Sequence, residues 1–176
     1  MPAANLKDSK GQSHYVISQT GMTTCGPAAM AMVEAYYKMK CSDDPENRLK
    51  ELSAKLPDGW RPGQGTPVTS LATTLNQIGV KSKMVSVLPA HVFDTLQASV
   101  ASRTPAIVMV KHLGLPGMFH FVVCRAIYPD DLGVFLDPGT DPPKGIVEVK
   151  KRNIPTFQFD PFGKWVFTGD MITCSL

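Results

Sequence analysis

Residues 19–33 read QTGMTTCGPAAMAMV, and the placement of Gln19 six positions ahead of Cys25 decides how the chain folds. The small residues after Cys25 favour a closely packed, central helix, and Pro27 is tolerated in its first turn. A helix that opens at Cys25 sets the thiol at a helix N-terminus. Such a terminus carries roughly half a positive charge, lowers a thiol pKa and offers free N–H groups to an anion. Cys25 is therefore the candidate nucleophile, and Gln19 with the Cys25 N–H are the candidate oxyanion donors.

A thiol nucleophile needs a base, and the base needs an orienting partner. The stretch GMFHFVVCRAIY puts His120 at the head of a β-branched, aromatic-rich run that reads as a buried strand. The next run, GVFLDPG, carries Asp137 at its end. Antiparallel pairing of the two runs, joined by a polar turn at Pro129, Asp130 and Asp131, brings imidazole and carboxylate together. In that arrangement His120 takes the thiol proton and later protonates the leaving amine, while Asp137 fixes the ring tautomer. The candidate catalytic residues are Cys25, His120, Asp137 and Gln19, in the chain order Cys, His, Asp.

Outward from these motifs the pattern is α+β. A short helix is expected around residues 46–55, followed by a loop through LPDGWRPGQG whose Trp60 is placed to flank a cleft. TPVTSLATTLNQIG reads as a helix stopped by Gly79, VKSKMVSV as an alternating strand, and PAHVFDTLQASVASR as an amphipathic helix. Four β-rich runs follow: TPAIVMVKH, MFHFVVCRAIY, GVFLDPG and GIVEVK. The C-terminal KWVFTGDMITCSL is expected as a last strand or a covering arm. The resulting fold has a nucleophile helix packed on an antiparallel sheet, in one domain over residues 1–176, with residues 1–14 flexible.

Composition agrees with one buried core: 176 residues, 43% hydrophobic. A net charge of +3 is too small to argue for nucleic acid, and Lys150, Lys151 and Arg152 read as a solvated edge. No run approaches the roughly 18 apolar residues of a membrane span. The N-terminal MPAANLKDSKGQ has no apolar segment of a secretory signal, so synthesis and folding in the cytoplasm are expected, with export by a specialised system left open. Cys25, Cys41, Cys124 and Cys174 lack metal-ligand spacing, and no metal or cofactor is expected. With Cys25 assigned to chemistry, the other cysteines read as unpaired thiols. His14, His91 and His112 have no partner pattern.

Taken in order, Gln19, the Cys25-Gly26 pair opening a small-residue helix, the HFVV strand at His120 and the Asp137-Pro138 turn resemble the papain-like cysteine peptidases. Within them they are most similar to the bacteriocin-processing, double-glycine peptidases. The resemblance spans roughly residues 15–140. It departs at Thr24, where transporter-linked members carry an acidic residue, and at Pro27. It implies a papain-like fold and cleavage after Gly-Gly, by a free-standing peptidase or an excised domain without the membrane-spanning and nucleotide-binding regions of those transporters. A papain-like domain of this kind is also similar to toxin domains delivered into competing cells. That likeness implies a target-cell protein as substrate and a dedicated inhibitor protein as partner.

The same triad serves peptidoglycan amidases, deamidases and acyltransferases, because the acceptor that resolves the acyl-enzyme decides the product. An inactive binding module is the non-enzyme alternative. Its signature, a substituted triad position, is missing here.

Overall fold

Alternation within the apolar runs of the C-terminal half builds a sheet buried on both faces. The computed structural model describes residues 3–38, 43–101, 103–139, 145–153, 156–159 and 163–175. Strands β4 (Ala106–His112), β5 (Phe119–Ile127), β6 (Leu132–Leu136) and β7 (Ile146–Lys150) follow one another as antiparallel neighbours. Val122, Cys124, Val108, Phe135 and Met171 point to one face; Ile107, Phe121, Val123, Leu136 and Ile172 point to the other. A two-sided burial of this kind explains why these strands read as nearly continuous hydrophobic runs.

Helices occupy both sides. Against the second set lie α1 (Cys25–Lys38), α2 (Pro45–Ala54) and α3 (Val68–Gln77), contributing Ala28, Met30, Leu49, Leu71 and Leu75. Against the first set lies α4 (Val92–Val100), through Val92, Leu96 and Val100. Ala28, Ala29 and Ala31 are fully buried, so α1 is the central helix that the small residues after Cys25 predict. The α+β expectation is met: the helix that opens at Cys25 packs on an antiparallel sheet.

The C-terminal stretch is a strand and an interior one. It forms β9 (Gly163–Ser175), between β3 (Lys81–Ser86) and β4, and it also pairs with β8 (Thr156–Phe159). A place inside the sheet accounts for apolar residues on both its faces, Trp165, Phe167, Met171 and Ile172. Its register with β4 shifts between Val108 and Val110. Nearby, Gly169 has φ +103°, and a Cβ there would sit 2.0 Å from the Val87 carbonyl oxygen.

Residues 3–14 of the segment expected to be flexible, together with residues 15–17, form a two-stranded ribbon of β1 (Ala3–Lys7) and β2 (Ser13–Ile17). Its turn is organised around Asp8, whose carboxylate accepts from the Lys10 and Gln12 N–H groups at 3.0 and 2.9 Å. Asp8 also accepts from His14 Nε2 at 2.8 Å and the Tyr128 hydroxyl at 2.5 Å. The basic run at 150–152 is a surface edge as expected, with Lys150 paired to Asp130 and Lys151 to Asp94.

Candidate active site

Helix α1 begins at Cys25 because Thr24 closes the turn before it. Thr24 Oγ1 accepts from the Gly21 N–H and donates to the Gly21 carbonyl, each at 3.0 Å. The first helical bond runs from the Ala28 N–H to the Thr24 carbonyl at 3.0 Å. The Cys25 N–H, at the head of the helix, has no carbonyl one turn back within the helix, so it is a donor for a ligand oxygen. Trp60 braces this turn, its Nε1 donating to the carbonyl of Thr23, a residue that lines the cleft. The same loop is pinned by Arg61, whose guanidinium donates to the carbonyls of Ala54, Leu56, Pro57 and Trp60.

Strand pairing sets the base against its partner. Val123 of β5 lies opposite Leu136 of β6, and from that point His120 is three residues back along β5 while Asp137 is the next residue after β6. His120 Nε2 meets Asp137 Oδ1 at 2.6 Å, with the two side chains 12% and 2% exposed. The Gly139 N–H donates to the same carboxylate oxygen at 2.7 Å, and the Asp137 N–H donates to the Gly145 carbonyl at 2.8 Å. The carboxylate is thus held from two directions. The Cys25 side chain lies close enough to the His120 ring to act on its protonation. With Nε2 committed to Asp137, Nδ1 is the ring nitrogen left for the thiol.

The electrostatics favour a charged imidazole. Burial acts to lower the His120 pKa, but hydrogen bonds to Asp137 and Cys25, and the charges of both, outweigh it and push the value up to about 10. Burial pushes the Cys124 thiol up, and the Cys174 thiol up to about 12. Cys25, Cys124 and Cys174 are all free thiols, while Cys41 lies outside the described residues.

Gln19 is tied to the Asp137 turn, its backbone N–H donating to the Pro138 carbonyl at 2.8 Å. Its side-chain Nε2 donates to the Gly21 carbonyl at 2.8 Å. A primary amide has two N–H groups, so this anchor holds one and leaves the other for an oxyanion. Gln19, His120 and Asp137 line a small cavity of about 170 Å³ together with Trp165. Cys25 opens onto a neighbouring cleft of about 660 Å³ whose walls include Gly65, Thr66, Leu115, Met118 and Phe119. Met22, Met118 and Phe119 border both spaces, so they form one continuous surface around the thiol.

Sequence reading missed two features. Trp165 packs on His120 with ring centroids 5.5 Å apart, brought there by the interior position of β9. Gly139 lies so near the pair that a Cβ would sit 3.2 Å from Asp137 Oδ1 and from His120 Cε1 and Nε2. The Asp-Pro-Gly motif was the available signal for Gly139. For Trp165 there was none, since its strand is remote in sequence. Of the other histidines, His14 pairs with Asp8 in the ribbon and His112 stacks edge-on against Trp165 at 5.1 Å. Among the described residues no group of three or more His, Cys, Asp or Glu side chains could hold a metal. Among them, too, no helix is long and apolar enough to cross a membrane.

The model of the Peptidase C39 family matches residues 13–154. No curated protein sequence matches the chain. Among solved structures it is similar to the peptidase domain of Streptococcus ComA, a bi-functional ABC transporter involved in a quorum sensing pathway. The identity is 21% over 91% of this chain and 96% of that one, with a TM-score of 0.64. It is also similar to a double glycine motif protease from an AMS/PCAT transporter in complex with the leader peptide, at 22% identity over 90% and 89% of the two chains, TM-score 0.58. The peptidase domain of Streptococcus mutans ComA aligns at 19% identity over 92% and 98%, TM-score 0.57. At these identities the likeness is one of fold.

Proposed function

The chain belongs to the Peptidase C39 family and is a cysteine peptidase, and from that premise we propose that it cleaves peptide bonds after a Gly-Gly pair, using Cys25, His120, Asp137 and Gln19. The observation that carries the site assignment is His120 Nε2 bonded to Asp137 Oδ1 at 2.6 Å, in a cavity that shares Met22, Met118 and Phe119 with the cleft that Cys25 lines. The double-glycine preference rests on the family and on the similar double glycine motif protease.

His120 Nδ1 takes the Cys25 proton, giving a thiolate beside an imidazolium that Asp137 stabilises. The thiolate adds to the scissile carbonyl carbon, and the electron pair moves to the carbonyl oxygen. That oxyanion is met by the Cys25 N–H and by the free N–H of Gln19 Nε2, donors aimed at charge that develops only in the transition state. Collapse expels the amine, which takes the imidazolium proton from His120. His120 then withdraws a proton from water, whose oxygen attacks the thioester; collapse expels the Cys25 sulfur, which takes that proton back from His120, and releases a carboxylic acid that ionises to solvent. Nucleophile, base and oxyanion donors are all protein atoms, so the reaction requires a peptide substrate and no cofactor.

The test is incubation of wild type and Cys25→Ala with peptides carrying Gly-Gly, Gly-Ala or Ala-Ala before the scissile bond, read by mass spectrometry. Cutting by wild type alone, and only after Gly-Gly, is the expected result. No cutting by a wild type whose Cys25 still reacts with an electrophile would reassign the triad to amidase or acyl-transfer chemistry. Cutting by Cys25→Ala would sink the mechanism.

A further inference from the structure

We infer that Glu46 is a positioning residue for the oxyanion hole, acting on Gln19 through Thr20; the inference rests on the role of Gln19 in the proposed peptidase reaction. The side chain of Glu46 is nearly inaccessible, the residue being 1% exposed, yet it belongs to a helix remote from the triad in sequence. Its Oε1 accepts from the Thr20 N–H at 3.0 Å and from the Thr20 hydroxyl at 3.1 Å. Both bonds hold the residue immediately after Gln19.

Local sequence explains how a carboxylate comes to rest there. In DDPENRL, Asp44 caps α2, its side chain accepting from the Asn47 N–H, and Pro45 takes the first helical position. Glu46 follows in the first turn, where the helix dipole favours negative charge. A buried carboxylate so placed is a strong, fixed acceptor for two donors on one neighbouring residue.

The Gln19 amide needs such fixing. Its Nε2 is anchored by the Gly21 carbonyl at 2.8 Å, the same carbonyl that accepts from the Thr24 hydroxyl at 3.0 Å. Its backbone is anchored by the Pro138 carbonyl. Residues 19 and 21 are thus held from the triad side and from α1, and Glu46 holds residue 20 between them from α2. With Glu46 removed, the 19–21 segment keeps its ends and loses its middle. Displacement of a reacting or stabilising group by about 1 Å costs up to about 10²-fold in rate.

The experiment is a mutant cycle on a Gly-Gly peptide, with kcat and KM measured for Glu46→Ala and Glu46→Gln in wild-type and Gln19→Ala backgrounds. The rate of Cys25 alkylation by iodoacetamide is followed in parallel. Glu46→Ala is expected to lower kcat about ten- to a hundredfold with KM and alkylation unchanged, because the oxyanion exists only in the transition state. Glu46→Gln keeps an Oε1 acceptor and is expected to recover most of that loss. In the Gln19→Ala background, Glu46→Ala is expected to cost less than about twofold, since residues acting as a unit are non-additive.

A full loss in the Gln19→Ala background, or an equal fall in alkylation, overturns the inference and leaves the peptidase reading standing. So does an unchanged kcat in Glu46→Ala. If Glu46→Ala does not fold, Thr20→Val, which removes the hydroxyl bond alone, is read in the same cycle; its kcat loss must vanish with Gln19. A wild type that cuts none of the peptides while Cys25 is still alkylated overturns both.

Discussion

The Trp165 indole lies against the His120 imidazole, ring centroids 5.5 Å apart and planes inclined by 47°, in the cavity where His120 Nε2 meets Asp137 Oδ1 at 2.6 Å. A large apolar ring beside that hydrogen bond keeps water from competing for it, and a charge-assisted bond is stronger in a drier setting. Trp165→Ala should therefore lower kcat/KM by about tenfold. Peptide cleavage measured across pH checks this, the expected signature being an alkaline limb displaced toward neutral pH. An unchanged limb would mean that the indole serves packing alone.

Asp137→Asn tests the same bond from its other end. In wild type the folded-state pKa of His120 is raised from 6.5 to about 10, so the imidazolium is present through neutral pH and is lost only as pH climbs toward 10. The linked stability has the same sign: present in full below about pH 6.5 and lost on the way up through 10. An amide in place of the carboxylate removes the charge that raises the pKa. The alkaline limb of kcat/KM should then fall by at least about one pH unit, with activity reduced but not abolished. Cys25→Ala and His120→Ala should each abolish turnover while circular dichroism stays native.

The candidate site could be proposed from sequence because its parts lie in short local motifs. Gln19 and Cys25 are fixed by a turn and a helix start, and His120 and Asp137 by one hairpin; each depends on chemistry within about twenty residues. Trp165 was not legible, because nothing local says that β9 inserts between β3 and β4. The strand content of KWVFTGDMITCSL was plain, but strand order is set by which faces are left uncovered. The ribbon of residues 3–17 was missed for a related reason: its stability comes from Asp8 meeting Tyr128 across the fold, a contact between residues 120 positions apart. The bond from Trp60 to the Thr23 carbonyl was not legible either, since it joins residues 37 positions apart.

Gly139→Ala is predicted to affect chemistry more than folding. The added Cβ would stand 3.2 Å from Asp137 Oδ1 and from two atoms of the His120 ring, tight enough to shift the pair by a few tenths of an ångström. A loss of roughly tenfold in kcat is expected from so small a displacement. Thermal melting within about 3 °C of wild type, measured beside kcat, separates this from general destabilisation. Equal activity would show that the Asp137 turn can yield without moving the ring.

Gly26→Ala should show the reverse balance. A Cβ at Gly26 would meet Thr66 Cβ and Oγ1 at 2.9 Å and Leu71 Cδ2 at 3.2 Å, in the core that joins α1 to α3. Overpacking of that kind costs about 1–3 kcal/mol. Urea unfolding of the variant should report a loss in that range. Alanine tolerated without loss would mean that the segment carrying Thr66 moves freely against α1.

The last expectation concerns the ribbon, away from the chemistry. Burial acts to raise the Asp8 pKa, but hydrogen bonds from His14, Tyr128 and the Gln12 N–H, with the charge of His14, bring the net value below its ordinary 3.8. A carboxyl depressed in the folded state contributes stability that is fully present above the unfolded pKa of about 3.9 and is lost as pH falls below it. Asp8→Asn removes the charge while keeping a similar shape. At pH 6 it should cost about 2 kcal/mol, the worth of hydrogen bonds to a charged group, or about 6 °C in melting temperature. Below about pH 4 the wild-type advantage should shrink, because Asp8 is then protonated in the unfolded chain and increasingly in the folded one. Melting curves of the two proteins from pH 6 to pH 3 check this, and a gap that stays constant across that window would show that the Asp8 charge does not hold the ribbon.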